Sequence, residues 1–117
     1  MALLGEESLV RVRRAADTYV AGVLVRAAEA TVSFMGSVQP MSGSDRRMLR
    51  EGGVTRIERG KKIYCAQGTL SAGDHVLGQP ADVVRYGGRD YTVVHVDDEH
   101  PLIGHDRAYV VEVLEAG

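Results

Sequence analysis

Apolar and polar residues alternate along much of this chain with the period of two that marks a half-buried strand. In residues 9–14, Val10 and Val12 fall on one side and Arg11 and Arg13 on the other, which predicts a strand ending at Ala15-Ala16-Asp17. Residues 19–25 are rich in β-branched and aromatic side chains and predict a second strand, with Gly22 marking a bulge or a close backbone approach. Residues 30–39 predict a third, in which Thr31, Ser33, Met35 and Ser37 alternate with Val32, Phe34, Gly36 and Val38. Pro40 ends that run because proline has no N–H for the ladder. Residues 83–86, the pair Gly87-Gly88 and residues 91–96 predict a tight hairpin, and residues 108–114 a last strand.

Between the third strand and the hairpin the pattern changes. Residues 44–51 are helix-tolerant, with Ser44 as the cap and Gly52-Gly53 as the terminator, so they predict at most two turns of helix. Met48 and Leu49 are its only apolar pair, too little for firm burial, so the helix is expected to dock loosely or to serve a partner. In residues 55–65, Ile57, Arg59, Lys61, Ile63 and Cys65 share one odd-numbered face that mixes charge with apolar bulk, as in an arm rooted in the core. Residues 67–81 predict a polar, glycine-bearing connection. About six short strands, one short helix in a long loop and no room for crossover helices point to an all-β protein, a small antiparallel barrel, whose closure removes exposed sheet edges.

The chain has 117 residues, enough for one domain with its own core, since a domain takes roughly 100 to 200 residues. Fourteen basic and sixteen acidic residues give a formal charge of -2, which excludes attraction to nucleic acid through net charge. The charge is nevertheless segregated. Residues 44–62 hold seven basic groups against three acidic ones, whereas residues 74–117 hold three basic against nine acidic. The basic island comprises Arg46, Arg47, Arg50, Arg56, Arg59, Lys61 and Lys62, flanking Met48 and Leu49; Asp97, Asp98, Glu99 and Asp106 make a candidate acidic interface. Two such surfaces suit charge-complementary contacts, including contacts between copies of the chain.

Other chemistry is poorly supported. His95, Asp97, His100 and His105 are metal-compatible residue types, but they match no zinc-helix, calcium-loop or deaminase spacing and read as an acidic loop in which His105 and Asp106 form a hydrogen-bonded pair. Cys65, the only cysteine, excludes an intrachain disulfide framework, favours a reducing compartment and reads as a buried, inert thiol. The serines lack a nucleophile elbow and the glycine pairs lack a phosphate-loop pattern, so neither an enzyme nor a cofactor is expected. No segment has the apolar length of a membrane span or the layout of a signal peptide, so a soluble product is expected.

The order of features carries a resemblance. Residues 31–41, above all Gly36-Ser37-Val38-Gln39-Pro40-Met41-Ser42-Gly43, resemble the strand ending in a Ser-Val-Gln-Pro phrase in head-closure, or head-to-tail stopper, proteins of tailed bacteriophages. A short helix like residues 44–50, an excursion like 51–62, a strand like 62–65, a hairpin like 82–94, a loop like 100–105 and a last strand like 109–113 follow in the same order. This resemblance implies a non-enzymatic ring, of twelve or six copies, in the virion neck and made in the host cytoplasm. The ring would lie below the portal and its adaptor, extend the channel for packaged double-stranded DNA, and offer a docking platform to a tail protein. It further implies that residues 41–62 form a gating loop, with the basic island supplying its charge, although Glu51 and Glu58 interrupt that run. Contact of this kind with DNA is independent of sequence and sensitive to salt. Competing expectations are a tail-completion or tail-terminator ring, a small-barrel module for peptide or nucleic acid, and a metal enzyme using the histidines above.

Overall fold

The computed structural model describes residues 5–14, 18–25, 29–54, 59–74, 76, 79–97 and 105–112. The elements are β1 (Glu7–Arg14), β2 (Thr18–Val20), β3 (Val23–Val25), β4 (Glu29–Pro40), α1 (Gly43–Glu51), β5 (Lys61–Ala66), β6 (Val83–Tyr86), β7 (Arg89–Asp97) and β8 (His105–Glu112). Six of the strands close into an antiparallel barrel in the order β1-β4-β5-β8-β7-β6, with β1 and β6 joining through Val10↔Arg85, Arg11↔Val84 and Val12↔Val83.

Alternation decides what fills the barrel. Leu9 on β1, Ile63 and Cys65 on β5, Val84 on β6, Tyr91 and Val93 on β7, and Ala108 and Val110 on β8 form one buried cluster, which Leu70 joins from the following loop. Gly36 lets β4 approach this cluster, because a Cβ there would lie 3.1 Å from Ile63 Cγ2 and 3.2 Å from Leu9 Cδ1. The alternation slips once. Val93 pairs with Val110 but His95 pairs with Tyr109, so a bulge separates them. Val93 and Val96 therefore both pack with the interior cluster, while Val94 packs with Tyr109 on the outer side.

One barrel end is closed by the β5–β6 connection. Leu70 is buried, the Ser71 amide donates to Asp82 Oδ2 at 2.8 Å, and Asp74 and Gln79 exchange backbone hydrogen bonds at 2.9 Å. Gly73 is required there: its φ is +85°, and a Cβ would stand 2.6 Å from the Gln79 carbonyl oxygen. From β1, Arg13 reaches this plug with a two-nitrogen contact to Asp82 at 2.8 and 2.7 Å, and Arg11 Nη1 donates to the Thr69 carbonyl at 3.0 Å. The described residues of the connection thus form a hydrogen-bonded lid rather than a plain polar loop.

Several expectations need correction. Residues 19–25 are not one barrel strand but a hairpin, β2–β3, that forms a two-stranded sheet of its own. Its turn is Ala21-Gly22, both at positive φ (52° and 80°), as a two-residue hairpin turn requires. The helix begins earlier than Ser44. Ser42 is the cap, its hydroxyl accepting from the Asp45 amide at 3.2 Å while Asp45 Oδ2 accepts from the Ser42 amide at 2.9 Å, a reciprocal capping box. Gly52 and Gly53 do terminate it, donating to the Met48 and Arg50 carbonyls. β5 starts at Lys61, and β8 starts at His105, so His105 and Asp106 lie in a strand, opposite Ala66 and Cys65, not in a loop.

Candidate functional site

The residues singled out from the sequence divide between two places. The first is the outer wall, where α1 is docked more firmly than its composition suggests. Leu49 is 3% exposed and clusters with Met41 and Tyr109, supported by Val54, Val94 and Val111. Polar contacts add to this anchor. Lys62 Nζ reaches Asp45 Oδ2 at 3.1 Å, and the Tyr109 hydroxyl donates to Asp45 Oδ1 at 3.2 Å. Burial pushes the Tyr109 phenol up to about 12, with Asp45 adding to the rise and the Arg107 charge opposing it. The Arg107 guanidinium also lies over the Tyr109 ring, 5.6 Å from its centre. Arg47, Met48 and Arg50 remain exposed on the helix.

The second place is the mouth of the barrel, at the end opposite the lid. β4, β5, β8 and β7 are consecutive in the barrel, and at this end their inward-facing positions are Pro40, Lys61, Glu112, and Arg89 above Tyr91. Arg46 from α1 and Arg59-Gly60 from the approach to β5 complete a cleft of about 390 Å³. Glu112 is the carboxylate of this cleft, held by Arg89 at 2.8 Å and Arg59 at 3.3 Å. Burial raises the Glu112 pKa, but hydrogen bonds and charge from Arg89 and then Arg59 outweigh it and hold the carboxyl below its ordinary value. Arg46 Nε is buried with no hydrogen-bond partner. A smaller hollow of about 260 Å³ lies beside the end of α1, lined by Met48, Leu49, Gly52, Val54, Val94 and His95.

The basic island is therefore not one surface. Arg46, Arg59 and Lys61 line the mouth, Arg47 and Arg50 face outward, and Lys62 is engaged with Asp45, while Arg56 lies outside the described residues. The acidic set separates as well. Asp97 is half-buried and paired with Arg107 at 2.7 Å. Asp106 must be withdrawn as an interface residue: it is 3% exposed, inside the barrel, where its Oδ2 accepts from the Gly68 amide at 3.0 Å and its Oδ1 has no partner. Asp98 and Glu99 lie outside the described residues. Sequence reasoning passed over Arg89, Tyr91 and Glu112. The signal for the first two was present in the odd-numbered alternation Arg89-Tyr91-Val93, which carries Arg89 to the inner side.

Burial, and secondarily the Asp106 charge, push the Cys65 thiol up to about 12, so the thiolate is strongly disfavoured. Among the described residues no three of His, Cys, Asp and Glu come together as a metal site. His95 stacks at 5.8 Å from the Tyr109 ring, and His100 lies outside the described residues. Among the described residues no helix is long and apolar enough to cross a membrane. Comparison of the chain with protein-family models and with curated proteins returns no match.

Proposed function

We propose that this protein is a non-enzymatic, ring-forming subunit of a tailed-bacteriophage neck, a head-closure protein that continues the DNA channel below the portal and adaptor and receives the tail. The observation that carries the reading is the junction at Gln39-Pro40. There a long barrel strand, β4, ends and passes through Met41 into a helix capped by Ser42, before the chain re-enters the barrel as β5 beside β4. The ordered likeness to stopper proteins turns on that same junction. A second feature supports assembly. The β2–β3 hairpin has no charged residue from Thr18 to Val25, and Tyr19, Val20 and Val23 are 74%, 61% and 65% exposed. Contiguous exposed apolar surface of this kind marks contact with another protein.

Cryo-electron microscopy of the protein mixed with its portal and adaptor proteins tests the assignment. The expected result is a ring coaxial with the adaptor, with the exposed Arg47 and Arg50 at the lumen or at a subunit boundary. Charge reversal at those two positions is then expected to weaken DNA retention or ring formation. Binding to a tail-tube protein instead would move the subunit to a tail-completion or tail-terminator position. Binding to neither would leave the small-barrel module as the reading.

A further inference from the structure

A barrel this small is normally filled by side chains, and its inward positions are apolar through the middle. Here the interior changes character abruptly at one end. Below the mouth lie Tyr91, Val93, Ile63 and Val110, all buried, whereas one step outward on the same strands stand Lys61, Arg89 and Glu112. Arg46 and Arg59 come from outside the sheet to the same cleft, so four cations face one carboxylate. Glu112 satisfies Arg59 and Arg89 only in part, because each guanidinium carries five N–H donors. Arg46 Nε, buried and without a partner, is a donor that the protein itself leaves unused.

From this we infer that the mouth of the barrel is a binding site for a phosphate group. The argument is one of charge and geometry. Mouths of barrels are a recurrent place for small-molecule sites, and 390 Å³ falls within the usual range for such pockets. Guanidinium forks match the oxygens of phosphate in pairs, and a lysine ammonium adds a point charge beside them. A single carboxylate ligand would offset only one of the three positive charges left after Glu112. A terminal phosphate carries about -1.5 to -2 at neutral pH, with three acceptor oxygens, and matches the excess better. The hydrophobic floor at Tyr91 limits entry to the outer rim, so a phosphate end fits and a bulky group does not pass into the barrel. Arg47 and Arg50, although cationic, do not line this cleft.

The site and the neck assignment stand on different observations, so either can fail alone. The test uses inorganic phosphate as the probe, titrated into the full chain by calorimetry at constant ionic strength, with amide chemical shifts followed in parallel. One-to-one saturable binding is expected, with shifts concentrated at Arg46, Gly60, Lys61, Arg89 and Glu112. Arg46→Gln and Lys61→Gln are each expected to weaken binding by roughly tenfold or more, the worth of a charge-assisted hydrogen bond. Glu112→Gln is expected to strengthen it, because the competing carboxylate is gone, and Arg85→Gln, at an exposed arginine paired with Asp90 away from the cleft, to leave it unchanged. Thermal melts of each variant verify folding, and the gain of affinity in Glu112→Gln is a result that misfolding does not produce. Displacement of the probe by a nucleoside monophosphate would identify a free terminal phosphate as the source, and displacement by an end-blocked DNA duplex a backbone phosphate. Either supports phosphate recognition. Absence of saturation at millimolar phosphate, equal affinity for acetate, or equal weakening by Arg85→Gln would overturn it.

Discussion

The Asp82 carboxylate is 1% exposed and accepts three hydrogen bonds, two from the Arg13 guanidinium and one from the Ser71 amide. It joins β1, at one end of the chain, to the lid that closes the barrel. The hydrogen bond that Arg13 donates to Asp82 raises the Arg13 pKa, with burial opposing and the Asp82 charge adding to the rise. Breaking a fully buried ion pair costs about 3–5 kcal/mol, because one charge is left without a partner. The Arg13 side chain is 35% exposed and water screens it, so Asp82→Ala is expected to destabilise by roughly 2–3 kcal/mol. Urea unfolding monitored by circular dichroism measures this, and a loss near zero would mean that the lid is not held through Asp82. At the same scale lie the limits of reading from sequence. Arg13 and Asp82 are each ordinary polar residues in their local patterns, and nothing in either pattern pairs positions 69 residues apart. Arg11 and Arg13 fall on the charged side of the β1 alternation, yet both reach the lid.

Helix α1 is an element that its own sequence supports only weakly and its surroundings hold. One buried side chain, Leu49, and one carboxylate, Asp45, connect it to β8 and β5. Burial raises the Asp45 pKa, but the Ser42 amide, the Lys62 ammonium and the Ser42 hydroxyl together hold it below its ordinary 3.8. A carboxyl with a depressed folded-state pKa stabilises the fold fully above the unfolded value, and that contribution is lost as pH falls through the folded value. Stability is therefore expected to decline as pH drops below about 3.8, and Asp45→Asn to flatten part of that decline while lowering stability at neutral pH. Equilibrium unfolding of both proteins between neutral pH and acid checks the sign. An unchanged acid slope in the variant would remove Asp45 from this role. The helix was legible from Gly52-Gly53 and the intervening residues, and the capping box was present as Ser42-Gly43-Ser44-Asp45. Gly43, a poor helix former, separates Ser42 from the helix-tolerant run, so the local pattern points to Ser44 rather than to the true cap, Ser42. Gly87-Gly88, with positive φ at both residues, gave the β6–β7 hairpin directly. The β2–β3 hairpin was hidden because three-residue strands that are apolar on both faces have no alternation to read.

At the scale of the molecule, the closed barrel leaves its two ends unlike. One carries the lid and, beyond Arg14 and Glu29, the chain that forms the β2–β3 hairpin; the other is the cationic mouth. An isolated two-stranded hairpin is marginally stable in water, so this one gains most from contact with a neighbour. Under the ring assignment, Tyr19→Ser combined with Leu24→Ser is expected to leave the barrel's unfolding midpoint nearly unchanged while shifting the population from oligomer toward monomer. Light scattering after size-exclusion chromatography reads the mass, and an oligomer unaffected by both changes would take the hairpin out of the interface. The barrel itself was legible from strand count and the absence of crossover helices. The cationic mouth was not, because its members come from α1, the approach to β5, β5 itself, β7 and β8, and only closure brings them to one rim.

Strand order also governs how the fold is acquired during synthesis. β8 sits between β5 and β7, yet it follows every other barrel strand in the chain. As the chain leaves the ribosome, β5 and β7 each have one edge without its native partner until residues 105–112 emerge. β1 must likewise wait for β6, some seventy residues downstream. Closure is therefore a late event in the life of each molecule, and a nascent chain arrested before β8 has two open strand edges where the finished protein has a continuous wall.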